Sequence, residues 1–220
     1  AAPARSTGER LRLAAEELGP AFVKLGQLLS ARPDIVPHEI LLELRRLQDH
    51  VRPLPFAELR PVLAAGLGRD PGEVFAELDE QSAAAASLAQ GHYGRLVSGE
   101  AVAVKVRKPG SRRRLETDLD LAGRFAARLQ SHVPALRSID LAGALAELRA
   151  GVLRELDFRH EARHQAFFHA RFPGDGPVFA PRVYAELSSE QVLVMERVDG
   201  LPVAAAVARA RRLYPALRVE

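Results

Sequence analysis

The sequence predicts an α+β fold in which an antiparallel sheet is combined with long helices. Three observations indicate it: a helical first third, a β-branched run with period-two alternation, and two long helical patterns before a final strand pattern. Elements in this order are typical of an α+β domain. The 220 residues, of which 47% are hydrophobic, are enough for a substantial core.

Four helices are predicted in the first third of the chain. The first begins with a capping-box pattern, Ser6 followed by Glu9, and ends before Pro20, which starts the second helix. Pro37 begins the third helix, and the fourth covers the stretch FAELRPVLAAGLG. Apolar residues of the third helix recur at helical spacing: Ile40, Leu41, Leu44 and Leu47. Together these helices predict an extension over residues 1–78.

A strand pattern replaces the helical pattern from about Asp79. The stretch AVAVKVRKPG alternates with period two, and the turn VSGE before it completes a hairpin with AAAASLAQGHYGRL. Two long helices are predicted over 111–130 and 140–172, followed by a second strand pair, PVFAPRVYAEL with QVLVMERV. We therefore predict a sheet-containing unit over 79–200 and the start of a further unit over 201–220.

The composition excludes several classes of protein. The net charge, 31 − 28 = +3, is mild for this length and does not predict a nucleic-acid binder. The absence of cysteine excludes disulfides, thiolate metal sites and thiol nucleophiles. The chain has neither an apolar run of about 18 residues nor an apolar signal core. We therefore expect a cytoplasmic protein, with peripheral membrane contact left open.

Lys105 lies on the predicted strand AVAVKV, on the opposite side from its apolar neighbours Val104 and Val106. About 19 positions upstream, the stretch AAAASLAQG is rich in small residues. This separation is expected between the phosphate-covering turn and the phosphate-binding lysine of a protein-kinase small lobe. Small residues let backbone N–H groups approach phosphate oxygens. The alternatives are a solvated strand lysine and a tightly packed alanine-rich segment.

The densest polar cluster is RELDFRHEARH, at residues 154–164. Asp157 and Glu161 are four residues apart and would share one helix face. On a straight helix, Glu155 would lie about 120° from Glu161. One interpretation is a functional carboxylate cluster. The other is a solvated helix stabilised by i,i+4 pairs such as Glu155 with Arg159.

The same cluster contains the stretch HEARH, which fits the H-E-x-x-H signature of zinc hydrolases. In that pattern, His160 and His164 would bind the metal and Glu161 would act as general base. The next histidine, His169, lies on a different helix face and does not complete the ligand set. A zinc hydrolase is therefore a minor alternative, beside a coincidental histidine pair on a solvated helix.

The second helix carries a polar stripe in the stretch FVKLGQLLS. Lys24, Gln27 and Ser30 recur every three residues on a helix that is otherwise apolar. Gly26 lies between them, where glycine costs about 1 kcal/mol of helix stability relative to alanine. A lysine buried without a partner would also be costly. The stripe is therefore expected to face something other than apolar packing.

Five stretches with these features occur together: LGPAFVKLGQLLSARPDIVP, AAAASLAQGHYGRL, VAVKVRKPG, ELDFRHEAR and PRVYAELSSEQVLVMERVDG. In order and approximate spacing they resemble the UbiB/AarF family of atypical kinase-like proteins, over roughly residues 18–202. The resemblance implies a protein-kinase-like small lobe with an N-terminal helical extension. It also implies that the large lobe is missing, because its H-x-D-x-H-P-G-N-like catalytic loop and D-F-G motif appear nowhere in the chain.

The resemblance assigns a lid over the nucleotide site to the helical extension. The family motif K-x-G-Q matches Lys24, Gly26 and Gln27. The family motif E-x-D matches Glu155 and Asp157. The resemblance implies that the lysine of the first motif pairs with the glutamate of the second.

The resemblance also assigns nucleotide-binding residues. Lys105 would reach the nucleotide phosphates, and Glu161 would hold Lys105 in place. The alanine-rich loop and the hinge between the lobes supply the other candidates: Ala84, Ala85, Ala86, Ser87, Gln90, Glu196 and Val198. Gly91 and Gly94 depart from the family pattern, which usually has a β-branched residue and an alanine there.

The implied ligand is ATP or ADP with Mg²⁺, whose metal ligands are expected from the large lobe. The implied activity is that of an ATPase or atypical kinase that supports ubiquinone or other isoprenoid-quinone and lipid metabolism. Contact with an isoprenoid lipid or an anionic membrane surface, and a homodimer, are compatible with the resemblance. The alternative is a non-catalytic, pseudokinase-like scaffold for a partner or a membrane surface.

Overall fold

A computed structural model describes residues 5–30, 33, 36–47, 52–132, 141–174, 176–201, 205–207 and 209. Within these residues the helices are α1 (Thr7–Leu18), α2 (Pro20–Ser30), α3 (His38–Leu44), α4 (Phe56–Leu67), α5 (Pro71–Val74), α6 (Ser111–His132), α7 (Leu141–Glu155) and α8 (Phe158–Arg171). The strands are β1 (Phe75–Leu78), β2 (Ala84–Ala85), β3 (Ala89–Leu96), β4 (Ala101–Arg107) and β5 (Val192–Glu196).

One antiparallel sheet organises these elements. Its strands follow the order β1-β3-β4-β5, and the short strand β2 also pairs with β3. Strands β3 and β4 form the predicted hairpin, whose turn contains Gly99 at φ 104°, a conformation that glycine adopts without strain. The hairpin and the antiparallel sheet confirm the predicted α+β class.

The first face of the sheet is covered by α4. Val102, Val104 and Val106 of β4 are at most 1% exposed, and they belong to one core cluster with Leu59 and Leu63 of α4. Successive side chains of a strand point to opposite sides, so the alternation of valines places one apolar face on this helix. The burial of these five side chains fixes the register of β4 in the sheet.

The second face of the sheet is covered by α8. Ala89 of β3 and Leu193 of β5 pack with Phe158 and Ala162 of α8 in a separate buried cluster. Leu193 lies directly across from Lys105 in the register of β4 and β5. Lys105 therefore belongs to the face that α8 covers, opposite the valines.

The sheet begins earlier than the change of sequence pattern near Asp79. The side chain of Asp70 caps α5 by accepting a hydrogen bond from the N–H of Gly72 at 2.8 Å. Val74 and Phe75 follow and are buried in the same core as α4. Both α4 and β1 thus pack as parts of the sheet core, although they precede residue 79. The division of the chain after residue 78 stays a prediction.

The N-terminal helices begin as their sequence signals predict. The hydroxyl of Ser6 accepts a hydrogen bond from the N–H of Glu9 at 3.1 Å and caps α1, and α2 begins at Pro20. The third helix is shorter than expected, because α3 ends at Leu44 and the N–H of Leu47 bonds three residues back in a tighter turn. The last residues of the predicted helix, 48–49, lie outside the described residues.

The prediction of one continuous helix over 140–172 is wrong, because α7 and α8 are separate. The N–H of Leu156 bonds back to Leu153, and the carboxylate of Asp157 accepts a hydrogen bond from the N–H of Arg159. Aspartate is a poor residue inside a helix and a favourable N-cap, so it ends one helix and starts the next. The E-x-D motif therefore lies at a junction.

The prediction of a second strand pair is wrong in its first member. Within residues 176–187, strand pairing is limited to a single bridge between Val183 and Met195, and a short 3₁₀ turn covers Ala185–Leu187. Pro181 has no N–H to donate to a strand ladder. The other predicted member is strand β5, which pairs with β4.

Helices α6 and α7 form a second core beside the sheet. Leu115 and Leu119 of α6 are buried with Val152 of α7 and with Leu156, and Phe22 of α2 packs against them. The extension is therefore docked on α6 and α7 through α2. Although α6 has 22 residues, none of the helices in the described ranges is long and apolar enough to cross a bilayer.

Replacing two helical glycines with alanine should change the stability of the protein in opposite directions. A Cβ at Gly66 would overlap Val192, a stiff β-branched side chain that is 0% exposed, whereas no described atom lies within 4 Å of a Cβ at Gly123. We expect Gly66→Ala to lower the free energy of unfolding by about 1–3 kcal/mol. We expect Gly123→Ala to raise it by up to about 1 kcal/mol. Urea denaturation followed by circular dichroism measures both, and a gain in stability for Gly66→Ala would contradict the packing of α4 on β5.

Candidate functional site

The centre of the candidate site is an ion pair between the sheet and α8. The Nζ atom of Lys105 lies 2.6 Å from Oε2 of Glu161, and both side chains are partly exposed, at 33% and 42%. The same Nζ lies 4.7 Å from the ring centroid of Phe158, within the range of a cation–π contact. The lysine therefore has a fixed position while part of its side chain remains open to solvent.

The junction between α7 and α8 determines where Glu161 lies. Asp157 caps α8 through the N–H of Arg159 at 3.0 Å, and its two carboxylate oxygens also bind the Arg159 guanidinium at 2.8 and 2.7 Å. These bonds to Arg159 lower the pKa of Asp157 to about 2, because they stabilise the charged carboxylate. Glu161 follows in the first turn of the new helix.

A cleft of about 550 Å³ opens on the α8 side of the ion pair. Its lining combines the end of the alanine-rich loop with the polar cluster of α7 and α8. The titratable side chains that line it are Lys105, Arg154, Glu155, Asp157, His160, Glu161 and His164. The E-x-D residues and the strand lysine thus share one cavity with Ser87.

A second cleft, of about 340 Å³, also has Lys105 in its lining. It is lined mainly by small and apolar residues, among them Ala103 of β4 and Met195 of β5. It shares Ala86, Ala89 and Lys105 with the first cleft. Lys105 therefore lies where the apolar cleft meets the polar one.

The alanine-rich loop is closed on itself as a short hairpin. Ala84 pairs with Gly91 and Ala85 with Gln90. The N–H of Ala86 donates to the carbonyl of Ala89 at 2.9 Å, so Ser87 and Leu88 form a tight turn between them. The N–H of Ala86 is therefore already used by the backbone of the hairpin. This loop differs from an open glycine-rich loop with free N–H groups.

The side chain of Gln90 has structural partners. It is 1% exposed, its Oε1 accepts from the N–H of Leu54 at 2.8 Å, and its Nε2 donates to the carbonyl of Leu54 at 3.1 Å. Nε2 also lies 3.1 Å from Nε2 of His92, whose Nδ1 lies 2.8 Å from the carbonyl of Asp79. Gln90 thus joins the segment before α4 to β3. Gln90 also lines the second cleft, and its role as a nucleotide ligand stays a prediction.

The hinge candidates lie at the end of β5. The backbone N–H of Glu196 donates to the carbonyl of Arg182 at 2.8 Å, and its carboxylate accepts from the N–H of Arg182 at 3.0 Å. Val198 follows and is 44% exposed. The N–H of Glu196 is thus occupied, and contact of these two residues with an adenine edge stays a prediction.

The K-x-G-Q motif lies in α2, where its residues contact the turn after α3. A Cβ at Gly26 would overlap the side chain of Leu47, so the glycine permits close approach. Gln27 donates through Nε2 to the carbonyl of Leu47 at 3.3 Å. The side chain of Lys24 lies outside the described part of the chain, and its pairing with Glu155 stays a prediction.

A zinc site finds no support in the described residues, among which no group of three or more His, Asp or Glu side chains could hold a metal ion. The Nδ1 atom of His160 lies 3.0 Å from a guanidinium nitrogen of Arg163. A cationic neighbour at this distance disfavours binding of a divalent cation by the same ring.

The sequence interpretation missed the hydrogen-bonded pair of Arg107, which is buried, and Glu190, which is half-buried. The guanidinium of Arg107 donates to the carbonyl of Leu156 at 2.9 Å and to Oε1 of Glu190 at 2.8 Å. Arg107 follows Lys105 by two positions, so strand alternation alone places it on the same face of β4. That signal was present in the sequence, but nothing in the sequence pairs Arg107 with a glutamate 83 residues away.

Comparison with known proteins gives the family. A family profile described as the ABC1 atypical kinase-like domain matches residues 46–216. The chain belongs to this family. The ABC1 match confirms the resemblance on which the kinase-like interpretation depends, and it covers the whole sheet and α8.

Curated relatives extend well beyond this ABC1 chain. A protein of Cellvibrio japonicus (strain Ueda107), named "Probable protein kinase UbiB", is 39% identical over 201 residues, or 91% of this chain and 36% of that protein. One of Marinobacter nauticus with the same name is 36% identical over 202 residues, or 92% of this chain and 37% of that protein. The chain thus spans about a third of the length of these curated relatives.

A solved structure shares the fold. The Mycobacterium tuberculosis protein Rv3197, determined in complex with erythromycin, matches with a TM-score of 0.61 and 30% sequence identity. The match covers 90% of this chain and 50% of that chain. The kinase-like fold, with its antiparallel sheet and helices, is therefore confirmed.

The ion pair of Asp157 predicts a pH-dependent contribution to stability. Its folded pKa of about 2 lies below the ordinary value of 3.8, so the contribution is complete above pH about 4 and is lost as the pH falls towards 2. Asp157→Asn keeps a capping side chain but removes the charge. We expect the variant to be less stable than wild type at pH 6 and equal to it near pH 2, as measured by urea midpoints.

The control for this experiment is Asp199→Asn. Asp199 pairs with Arg197, but its side chain is 82% exposed, so the pair contributes little. A constant difference between wild type and Asp157→Asn from pH 6 to pH 2 would show that the charge of Asp157 does not stabilise the junction.

The buried glutamine predicts a large loss of stability on truncation. Gln90→Ala would leave both backbone groups of Leu54 without their partner, and we expect the free energy of unfolding to fall by about 3 kcal/mol. Gln81→Ala, at an exposed position between β1 and β2, is the matched control and should change the free energy of unfolding by less than about 0.5 kcal/mol. Similar urea midpoints for the two variants would rule out this structural role.

Proposed function

We propose that this chain is the ATP-binding portion of a UbiB-type atypical kinase or ATPase. The observation that carries the proposal is the ion pair of Lys105 with Glu161 between two connected clefts. In protein kinases a strand lysine that binds the phosphates is held by a helix glutamate in the same way. The ABC1 match and the UbiB relatives support this use of the pair.

The two clefts suggest how ATP or ADP would lie. The adenine ring would occupy the cleft lined by Ala103 and Met195, with the hinge near Glu196 and Val198 at its edge. The phosphates would lie against Lys105, beneath the hairpin of Ala84, Ala85, Ala86 and Ser87. In this proposed arrangement the negative phosphates would lie next to the ammonium group and the adenine next to small apolar side chains.

Magnesium and catalysis would depend on residues outside this chain. In kinases, the Asp of the D-F-G motif and an Asn of the catalytic loop hold Mg²⁺, and neither motif is present here. Bound Mg²⁺ would neutralise charge on the nucleotide phosphates. Glu155 and Asp157 line the polar cleft on the phosphate side, where the lid of Lys24, Gly26 and Gln27 would close.

The cellular role is proposed from the relatives. Their printed name is that of a probable protein kinase UbiB, and the proposed role of the whole protein is in ubiquinone or other isoprenoid-quinone and lipid metabolism. Gene deletion followed by quantification of cellular quinones tests this part. Unchanged quinone levels would refute the pathway assignment without bearing on nucleotide binding.

A second candidate role is contact with an anionic membrane surface, and it is favoured by exposed aromatic residues. Five large apolar side chains at the end of α8 and just beyond it are between 41% and 68% exposed: Phe167, Phe168, Phe172, Val178 and Phe179. Arg163 and Arg171 are one helical turn away from Phe167 on either side. Aromatic rings flanked by arginines suit the interface of an anionic bilayer.

The membrane role predicts a specific loss of lipid binding. Phe167→Ser combined with Phe168→Ser should reduce co-sedimentation with phosphatidylglycerol vesicles at least fivefold, because both exposed rings are removed. Tyr93→Ser, at an exposed aromatic position on β3, is the control. Equal co-sedimentation of the double variant and wild type would exclude this surface.

The nucleotide role predicts that Lys105 carries much of the affinity. In the full-length polypeptide that contains this chain, Lys105→Ala should weaken binding of Mg²⁺–ATP by about tenfold or more, measured by isothermal titration calorimetry. Arg95→Ala removes an exposed cation of neighbouring strand β3 and is the matched control. Unchanged affinity in Lys105→Ala, with a folded protein by circular dichroism, would refute the assigned role of Lys105.

A further inference from the structure

The side chain of Arg107 reaches from the sheet to the junction of α7 and α8. Arg107 is 8% exposed and lies at the end of β4, on the same face as Lys105. Its Nη1 atom donates to the carbonyl of Leu156 at 2.9 Å and to Oε1 of Glu190 at 2.8 Å. One buried cation thus joins three segments that are far apart in sequence.

The carbonyl of Leu156 needs this partner because of the helix break. In a continuous helix, it would accept from the N–H of His160, four residues on. Here that N–H donates to the carbonyl of Asp157 at 3.1 Å instead. A guanidinium N–H supplies the missing hydrogen bond in a buried setting, where an unpaired carbonyl would be costly.

Glu190 completes the connection from the other side. Its backbone carbonyl accepts from the N–H of Phe158, the first residue of α8, at 3.2 Å. Its carboxylate also accepts from Arg112 of α6 at 3.0 Å. The hydrogen bond from Arg107 lowers the pKa of Glu190, so the carboxylate stays charged at neutral pH. Phe158 therefore has two contacts: its backbone N–H bonds to Glu190, and its ring faces the ammonium group of Lys105.

We propose that Arg107, through Leu156 and Glu190, is a positioning residue that sets where Glu161 meets Lys105. Glu161 lies three residues after Phe158, within the first turn of α8, so the position of that turn determines the position of its carboxylate. The side-chain hydrogen bonds of Arg107 go to Leu156 and Glu190 rather than to the ion pair, so Arg107 acts through the junction. This inference rests on the proposed nucleotide site, because it assigns Arg107 to the control of that site.

Arg107 links the two elements that carry the ion pair, β4 and α8. Kinase activity depends on the position of the helix that carries the glutamate. In this chain, Arg107 connects the start of α8 to β4, the strand that carries the lysine. Arg107 lies two residues after Lys105 on that strand. The lysine and the support for its partner thus move together as parts of β4.

The test is a double-mutant cycle of Arg107→Gln with Glu161→Gln in the full-length polypeptide, read as the affinity for Mg²⁺–ATP. In the wild-type background, Glu161→Gln should weaken binding about tenfold. In the Arg107→Gln background, the same change should weaken it less than about twofold, because Glu161 is no longer held at Lys105. Arg112→Gln removes the other cation on Glu190 without touching Leu156, and the full effect should persist there.

Hydrogen exchange of the free protein supplies a second readout. The N–H of Phe158 should exchange at least tenfold faster in Arg107→Gln than in wild type or Arg112→Gln, because its acceptor is no longer fixed. If Arg107→Gln does not fold, both measurements are made on Glu190→Gln, which weakens the same connection. The same loss from Glu161→Gln in every background would overturn the proposal, and so would unchanged exchange at Phe158.

The two hypotheses fail in different ways. If Lys105→Ala and Glu161→Gln both leave nucleotide binding unchanged in the wild-type background, the proposed function is wrong. Hydrogen exchange at Phe158 then still decides whether Arg107 holds the junction. If the single variants weaken binding but show no coupling to Arg107, the nucleotide site stands and the positioning role of Arg107 is overturned.

Discussion

The alternation of side chains along β4 is the constraint on which the rest of the structure depends. Val102, Val104 and Val106 fill the core beneath α4 on one face of the sheet. The same alternation leaves Lys105 and Arg107 on the other face, towards α8. A one-residue shift of register would turn Lys105 and Arg107 into the core beneath α4 and turn the valines towards α8. The core and the site are therefore specified by a single strand.

Local signals in the sequence predict much of this fold. The cap at Ser6, the hairpin of β3 and β4, and α4 all rest on interactions between residues near in sequence. The junction at Asp157 was missed because an apolar helical pattern continues on both sides of it. The long-range contacts at this junction come from Arg107 and Glu190, which are distant in sequence and carry no local signal.

The candidate site likewise contains residues whose contacts were predicted and residues whose contacts were not. The pairing of Lys105 with Glu161 was expected from the family resemblance, because in that family the strand lysine is held by a helix glutamate. Gln90 was grouped with the nucleotide ligands because it follows the alanine-rich loop, yet its side chain satisfies the backbone of Leu54. Sequence proximity to a loop cannot distinguish a side chain that faces a ligand from one that faces the next segment. The direction that a side chain faces follows from strand alternation and burial, and both depend on how the strands pair in the sheet.

The closed alanine hairpin has a consequence for the energetics of ligand binding. Its turn between Ala86 and Ala89 is closed by a hydrogen bond within the backbone of the hairpin itself. A loop that is already ordered loses little conformational entropy when a ligand arrives, so more of the contact energy remains as affinity. A hairpin closed in this way would not wrap around the phosphates of the proposed nucleotide. Selectivity among nucleotides would then depend on the fixed shape of the cleft rather than on adaptation of the loop.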